Sequence, residues 1–182
     1  IIQIIEEIEK TLEKENSQID YNKTEIFRRN RLNLDCKRHF KVFDKFSIIP
    51  EYCFGCYKVQ INTTNVFQLI KLLFLFNSDF LSNHIRKCMV ETRYQVKENY
   101  KGFIYCTGLD DAKNICETTK VKLNEFGINY KNIEIKHGCT EYYQKYPDFK
   151  KINLNGPQKM LYSETWKKFE KIIDDESPNR DK

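Results

Sequence analysis

The chain predicts an α+β domain built on a four-stranded antiparallel sheet with two helices on one face. Two observations predict it: segments of strand and helix character follow in the order β-α-β-β-α-β, and right-handed crossovers leave room for one strand inside each parallel pair. Tyr57-Lys-Val-Gln-Ile alternates apolar and polar residues and reads as the first strand. Asn62-Thr-Thr-Asn supplies capping oxygens for an apolar helix from about Val66 to Phe76. The second strand, Lys87 to Tyr94, sets Cys88, Val90 and Thr92 on one face and Met89, Glu91 and Arg93 on the other. A turn at Lys97-Glu-Asn-Tyr100 leads into a third strand, Gly102 to Cys106. Thr107-Gly-Leu-Asp110 caps a second helix whose Ala112, Ile115, Cys116, Leu123 and Phe126 share a face, and Gly127 stops it. The fourth strand is Ile133 to His137, closed by Gly138-Cys139.

This is the split βαβ order of the ferredoxin-like fold, with strands arranged 4-1-3-2. Strand directions bring the starts of strands 1 and 2 and the ends of strands 3 and 4 to one edge. Cys53, Cys56, Cys88, Cys106 and Cys139 fall at those ends, so five of the seven cysteines are expected together. Cys116 lies within a helix face and is expected in the core.

The flanks read differently. Residues 1–16 form an amphipathic helix, with Ile1, Ile5, Ile8 and Leu12 as its seam, and offer a surface for a protein partner. Residues 17–49 form a basic connector, residues 50–140 the ferredoxin-like core, and residues 141–175 an aromatic connection with a last helix capped by Ser163. The tail, 176–182, is expected to be disordered. Between Tyr21 and Ile49 eight cations face three acids, an excess that equals the chain's whole net charge of +5. With its longest apolar stretch, Leu69 to Phe76, far below the roughly 20 residues a bilayer needs, no membrane span is expected. The composition suits a cytoplasmic domain with reduced thiols, and the helix already under way at Ile1 suggests a piece of a larger polypeptide.

Cys53-Phe-Gly-Cys56 is a C-x2-C turn of the kind that holds two thiolates on one side of a zinc ion. Two sets compete to complete it. One is drawn from Cys88, Cys106 and Cys139 at the sheet edge. The other is Cys36-Lys-Arg-His39, separated from the turn by thirteen residues. An iron-sulfur cluster, with a redox role, is the alternative use of the same thiols. No phosphate loop, G-x-S-x-G or H-E-x-x-H is present, and His137 near Cys139 has no acid to orient it, so a binding role is expected before an enzymatic one. Asp110-Asp111 has the chemistry to hold a hard cation, but capping and the helix dipole account for both carboxylates.

Lys101-Gly-Phe-Ile-Tyr105 resembles part of the RNP1 motif of RNA-recognition-motif domains. The resemblance covers five residues and departs at Ile104, where a small residue is usual, and at Lys58 and Gln60, where the first strand lacks an outward aromatic. It implies base stacking on Phe103 and Tyr105, with Lys58 and Arg93 beside them. Arg28, Arg29, Arg31, Lys37 and Arg38 of the basic connector add phosphate contacts. The sequence therefore predicts a zinc-stabilised module that binds nucleic acid, with a protein-assembly role as the other class.

Overall fold

The computed structural model describes residues 25–28, 34–94 and 96–176, with the side chains of 25–28 left aside. Among the described residues five strands form one antiparallel sheet: β1 (Glu25–Arg28), β2 (Tyr57–Thr63), β3 (Ile85–Val90), β4 (Tyr100–Cys106) and β5 (Tyr130–His137). Their spatial order is β1-β3-β4-β2-β5. Without β1, this is the 4-1-3-2 arrangement expected from the crossovers. β1 adds an edge strand against β3, with Ile26 opposite Cys88 and Arg28 opposite Arg86.

Helices α3 (Val66–Leu75) and α4 (Leu109–Glu125) cover one face. The core between them holds Val59 and Ile61 of β2, Ile104 of β4, Leu72 and Leu75 of α3, and Ala112 and Leu123 of α4, all fully buried. Asn65 caps α3 as expected, its side chain accepting the Gln68 N–H at 3.1 Å. α4 starts differently. Its N-cap is Gly108, with no side-chain cap, and Asp111 reaches back instead to accept the Thr107 N–H at 3.0 Å. At its other end Gly127 and Ile128 bond back to Asn124 and Leu123, a Schellman closure with Leu123 and Ile128 both buried.

β3 begins at Ile85, two residues earlier than its sequence suggests, because Arg86 is buried rather than solvated. Its guanidinium donates to the carbonyls of Phe76 at 2.6 Å, Leu81 at 2.7 Å and His84 at 2.8 Å. A buried cation is thereby satisfied by carbonyls, including one at the C-terminal end of α3, where the helix dipole favours it. The strand also ends at Val90, so Glu91 to Arg93 leave the ladder.

Part of the segment predicted to be a basic connector is folded. It contains β1, the helix α1 (Cys36–Phe46) and, just after it, the single turn α2 (Glu51–Phe54). α1 and α2 pack with α5 (Pro147–Lys150) and α6 (Lys167–Asp175) into two further clusters. One centres on Ile49, Cys53, Tyr142 and Phe149, the other on Val42, Ile48 and Ile173. α6 docks on α1 through Phe46 and Phe169, 5.2 Å apart, and through Arg38. The predicted helix 1–16 lies outside the described residues, as do residues 177–182 of the predicted tail. No helix among the described residues is long and apolar enough to cross a membrane.

Candidate metal centre and adjoining groove

The edge where β2 starts and β4 and β5 end is built by one turn and one glycine. α2 stops at Phe54, and the N–H groups of Gly55 and Cys56 bond back to Tyr52 and Cys53, which fixes both cysteines of the C-x2-C turn. Beyond β5, Gly138 adopts a φ of 53° and donates its N–H to the Cys56 carbonyl at 2.7 Å. A Cβ there would stand 2.5 Å from the Phe149 ring, so the turn requires glycine and carries Cys139 back toward Cys56. Cys36 arrives as the first residue of α1.

Cys36, Cys53, Cys56 and Cys139 consequently line one cavity of about 10 Å³, with His39 and Tyr142 also in its wall. The set mixes the two predicted ones: Cys36 comes from the upstream pair and Cys139 from the sheet edge. Burial pushes the Cys53 thiol well up, against a 3.5 Å contact with the Tyr142 hydroxyl that favours its ionised form. Burial likewise raises Cys56 to about 12, partly opposed by the Lys58 cation. Cys139 is raised by burial too, with Lys58 again opposing. Thiols this reluctant to ionise are poor nucleophiles, and a metal there must displace their protons. The donor chemistry fits zinc or an iron-sulfur cluster, both of which take four sulfurs. Lys58 offsets part of the negative charge such a centre carries.

Spacing sets a condition on that fit. Among the described residues, the one group of three donors whose ligand atoms all lie within 4.8 Å of one another is His84, Cys106 and Asp111. No three of the thiols around the cavity lie within 4.8 Å of one another, so closing on an ion requires their side chains to move.

The remaining predicted ligands lie elsewhere. Cys88 is inside β3 opposite Gly102, not at a strand start, and is buried in the main core. Four ladder positions separate it from Cys106, about 13 Å at the rise of a strand. Cys106 ends β4 as predicted, opposite Tyr57, but faces the helix-covered core and does not line the cavity. Cys116 is buried on α4 in the same core. His137 is a packing residue: its ring stacks on Tyr57 at 4.5 Å and on Phe149 at 4.0 Å, while its two nitrogens face the carbonyls of Phe149 and Phe54.

Cys36 and Cys139 also border a larger groove of about 920 Å³ over the opposite face of the sheet. Lys58, Phe103 and Tyr105, the residues expected on the open sheet face, line it together with Lys87, Lys101 and Lys136. The Phe103 ring has Lys58 Nζ at 5.9 Å and Lys87 Nζ at 5.5 Å from its centre. Counting Lys37 and Arg93, six cations of the groove wall meet three acids, Asp35, Glu91 and Glu141. Arg93 is partly committed: its guanidinium grips Glu91 at 2.8 and 2.7 Å, and this holds the Glu91 carboxyl down at about 2. Lys101, buried in the groove floor, lies 3.5 Å from the same carboxylate.

Arg38, predicted to meet phosphate, is turned the other way. It donates to Asp174 at 2.7 Å from Nε and from Nη2, and to Glu170 at 2.6 Å. Arg29 and Arg31 lie outside the described residues, and so does the side chain of Arg28. Comparison with protein-family models, with curated proteins and with solved structures finds no match.

Proposed function

We propose that this chain is a zinc-stabilised binding module that takes single-stranded nucleic acid in the groove over its sheet. The observation that carries the reading is the convergence of Cys36, Cys53, Cys56 and Cys139, from separate chain segments, on one cavity that shares two of its cysteines with a cationic, aromatic groove. Zinc held there ties α1 and the Gly138-Cys139 turn to the start of β2, and so fixes one wall of the groove. Phe103 supplies a stacking face, and Lys58 and Lys87 beside it meet the phosphates on either side of a stacked base.

Metal analysis of the purified chain and titration with short RNA and single-stranded DNA test the two halves. Stoichiometric zinc, and binding that weakens steeply with salt, are the expected results. A visible chromophore with iron in place of zinc turns the reading toward a redox centre at the same thiols. Absence of both metals, or no binding at low salt, removes the corresponding half.

A further inference from the structure

We propose that His84, Cys106 and Asp111 form a second site for a divalent transition metal such as zinc, separate from the thiol cavity and independent of the function proposed above. The three residues lie on three elements. His84 immediately precedes β3, Cys106 ends β4 and Asp111 stands in the first turn of α4. One ligand atom from each lies within 4.8 Å of the other two. His84 Nε2 is already 3.1 and 3.2 Å from the two carboxylate oxygens of Asp111. Around a tetrahedral ion with nitrogen and oxygen at about 2.0–2.1 Å and sulfur at about 2.3 Å, neighbouring donors are roughly 3.3–3.8 Å apart. Closing the set onto an ion therefore takes shifts on the order of 1 Å, within reach of side-chain torsions.

Other bonds hold two of the three in place: the His84 N–H bonds to the Leu81 carbonyl and the His84 carbonyl accepts from Arg86, while the Asp111 carboxylate itself accepts the Thr107 N–H through Oδ2. Nε2, the nitrogen that faces Asp111, is the one placed to ligate, while Nδ1 on the other side of the ring is buried without a hydrogen-bond partner. Sulfur, nitrogen and oxygen donors together suit zinc or cobalt better than calcium or magnesium, which take oxygen ligands. Asp111 is one-third exposed whereas Cys106 is buried, so water reaches the group from the carboxylate side. Three protein ligands with a water in the fourth position is the arrangement of a reactive zinc site rather than of a closed structural one.

Cobalt(II) titration of the intact chain, read by stoichiometry and by thiolate-to-metal charge-transfer absorbance, tests this. His84→Gln and Asp111→Asn keep much of the side-chain volume of a part-buried pair, and each is expected to abolish one bound equivalent whose absorbance corresponds to a single thiolate. Cys56→Ser is expected to leave that equivalent in place, whatever it does to the thiol cavity. Circular dichroism of the two variants separates loss of the metal from loss of the fold. Unchanged stoichiometry and spectrum in His84→Gln and Asp111→Asn would overturn the proposal and show the pair to be a hydrogen-bonded helix anchor only. Loss of cobalt from Cys56→Ser alone bears on the thiol cavity and, with the other variants unchanged, also overturns the second site.

Discussion

Replacing Arg38 with methionine separates the two roles open to it, phosphate contact and structural brace. The guanidinium reaches both Glu170 and Asp174, and neither Arg38 nor Glu170 is more than 13% exposed in its side chain. Methionine keeps much of the stem and removes the charge. Breaking a buried pair from one side costs about 3–5 kcal/mol, since the remaining charge is stranded. Here Glu170 keeps two donors, the Glu51 N–H at 2.8 Å and the Tyr162 hydroxyl at 2.8 Å, and Asp174 is half-exposed. The expected loss is therefore smaller, about 2–3 kcal/mol. With a urea slope of about 1–3 kcal/mol per molar, the unfolding midpoint falls by about 0.7–3 M. Nucleic-acid affinity at saturating stability is expected to be unchanged, because the side chain points at α6 and not into the groove. An unchanged midpoint together with weakened binding would refute this assignment and return Arg38 to the phosphate contacts.

Three further outcomes follow from particular contacts. Gly138→Ala places a methyl against Phe149 and a side chain at positive φ, so urea unfolding should show a loss of about 2–5 kcal/mol, while Gly55→Ala, whose new Cβ meets nothing closer than 3.7 Å, should cost much less. Burial lowers the pKa of His137 although two carbonyls face its nitrogens. The fold thus prefers the neutral ring while the unfolded chain protonates near its ordinary value of about 6.5, so this contribution to stability is complete above that pH and is lost as the pH falls below it. Unfolding midpoints at about pH 7.5 and 5.5 should converge in His137→Gln relative to the original chain; a steeper acid loss in the variant would contradict the sign. Phe103→Ala should weaken RNA binding by about 1–3 kcal/mol with little change in salt slope, whereas Lys58→Ala should lower that slope by about 1.

Much of the fold was legible because β2, α3, α4 and β5 have regular apolar periods bounded by Asn65, Gly127 and Gly138. The strand order followed from crossover handedness alone. What escaped was hidden by charge. Arg86 reads as a surface residue, so β3 appeared to start late and Cys88 appeared to open it; its true place is decided by carbonyls that become neighbours only in the fold. α1 was obscured in the same way by Lys37, Arg38, Lys41 and Lys45, although Cys36, Phe40 and Phe43 recur at helical spacing and were the available signal. The candidate site was half legible. The C-x2-C turn, Cys36 and Cys139 were all named, but their combination depends on where α1 docks, which no spacing encodes. His84 carried no motif at all, and Asp111 was readable as a cap but not as the partner of a histidine 27 positions earlier.

Zinc content measured cysteine by cysteine in the purified chain tests the central claim most directly. The account predicts that Cys36→Ser, Cys53→Ser, Cys56→Ser and Cys139→Ser each lose the thiol-bound equivalent, while Cys88→Ser and Cys116→Ser keep it. A chain without stoichiometric zinc or iron, or one whose metal is lost from Cys88→Ser and retained in Cys36→Ser, would contradict it.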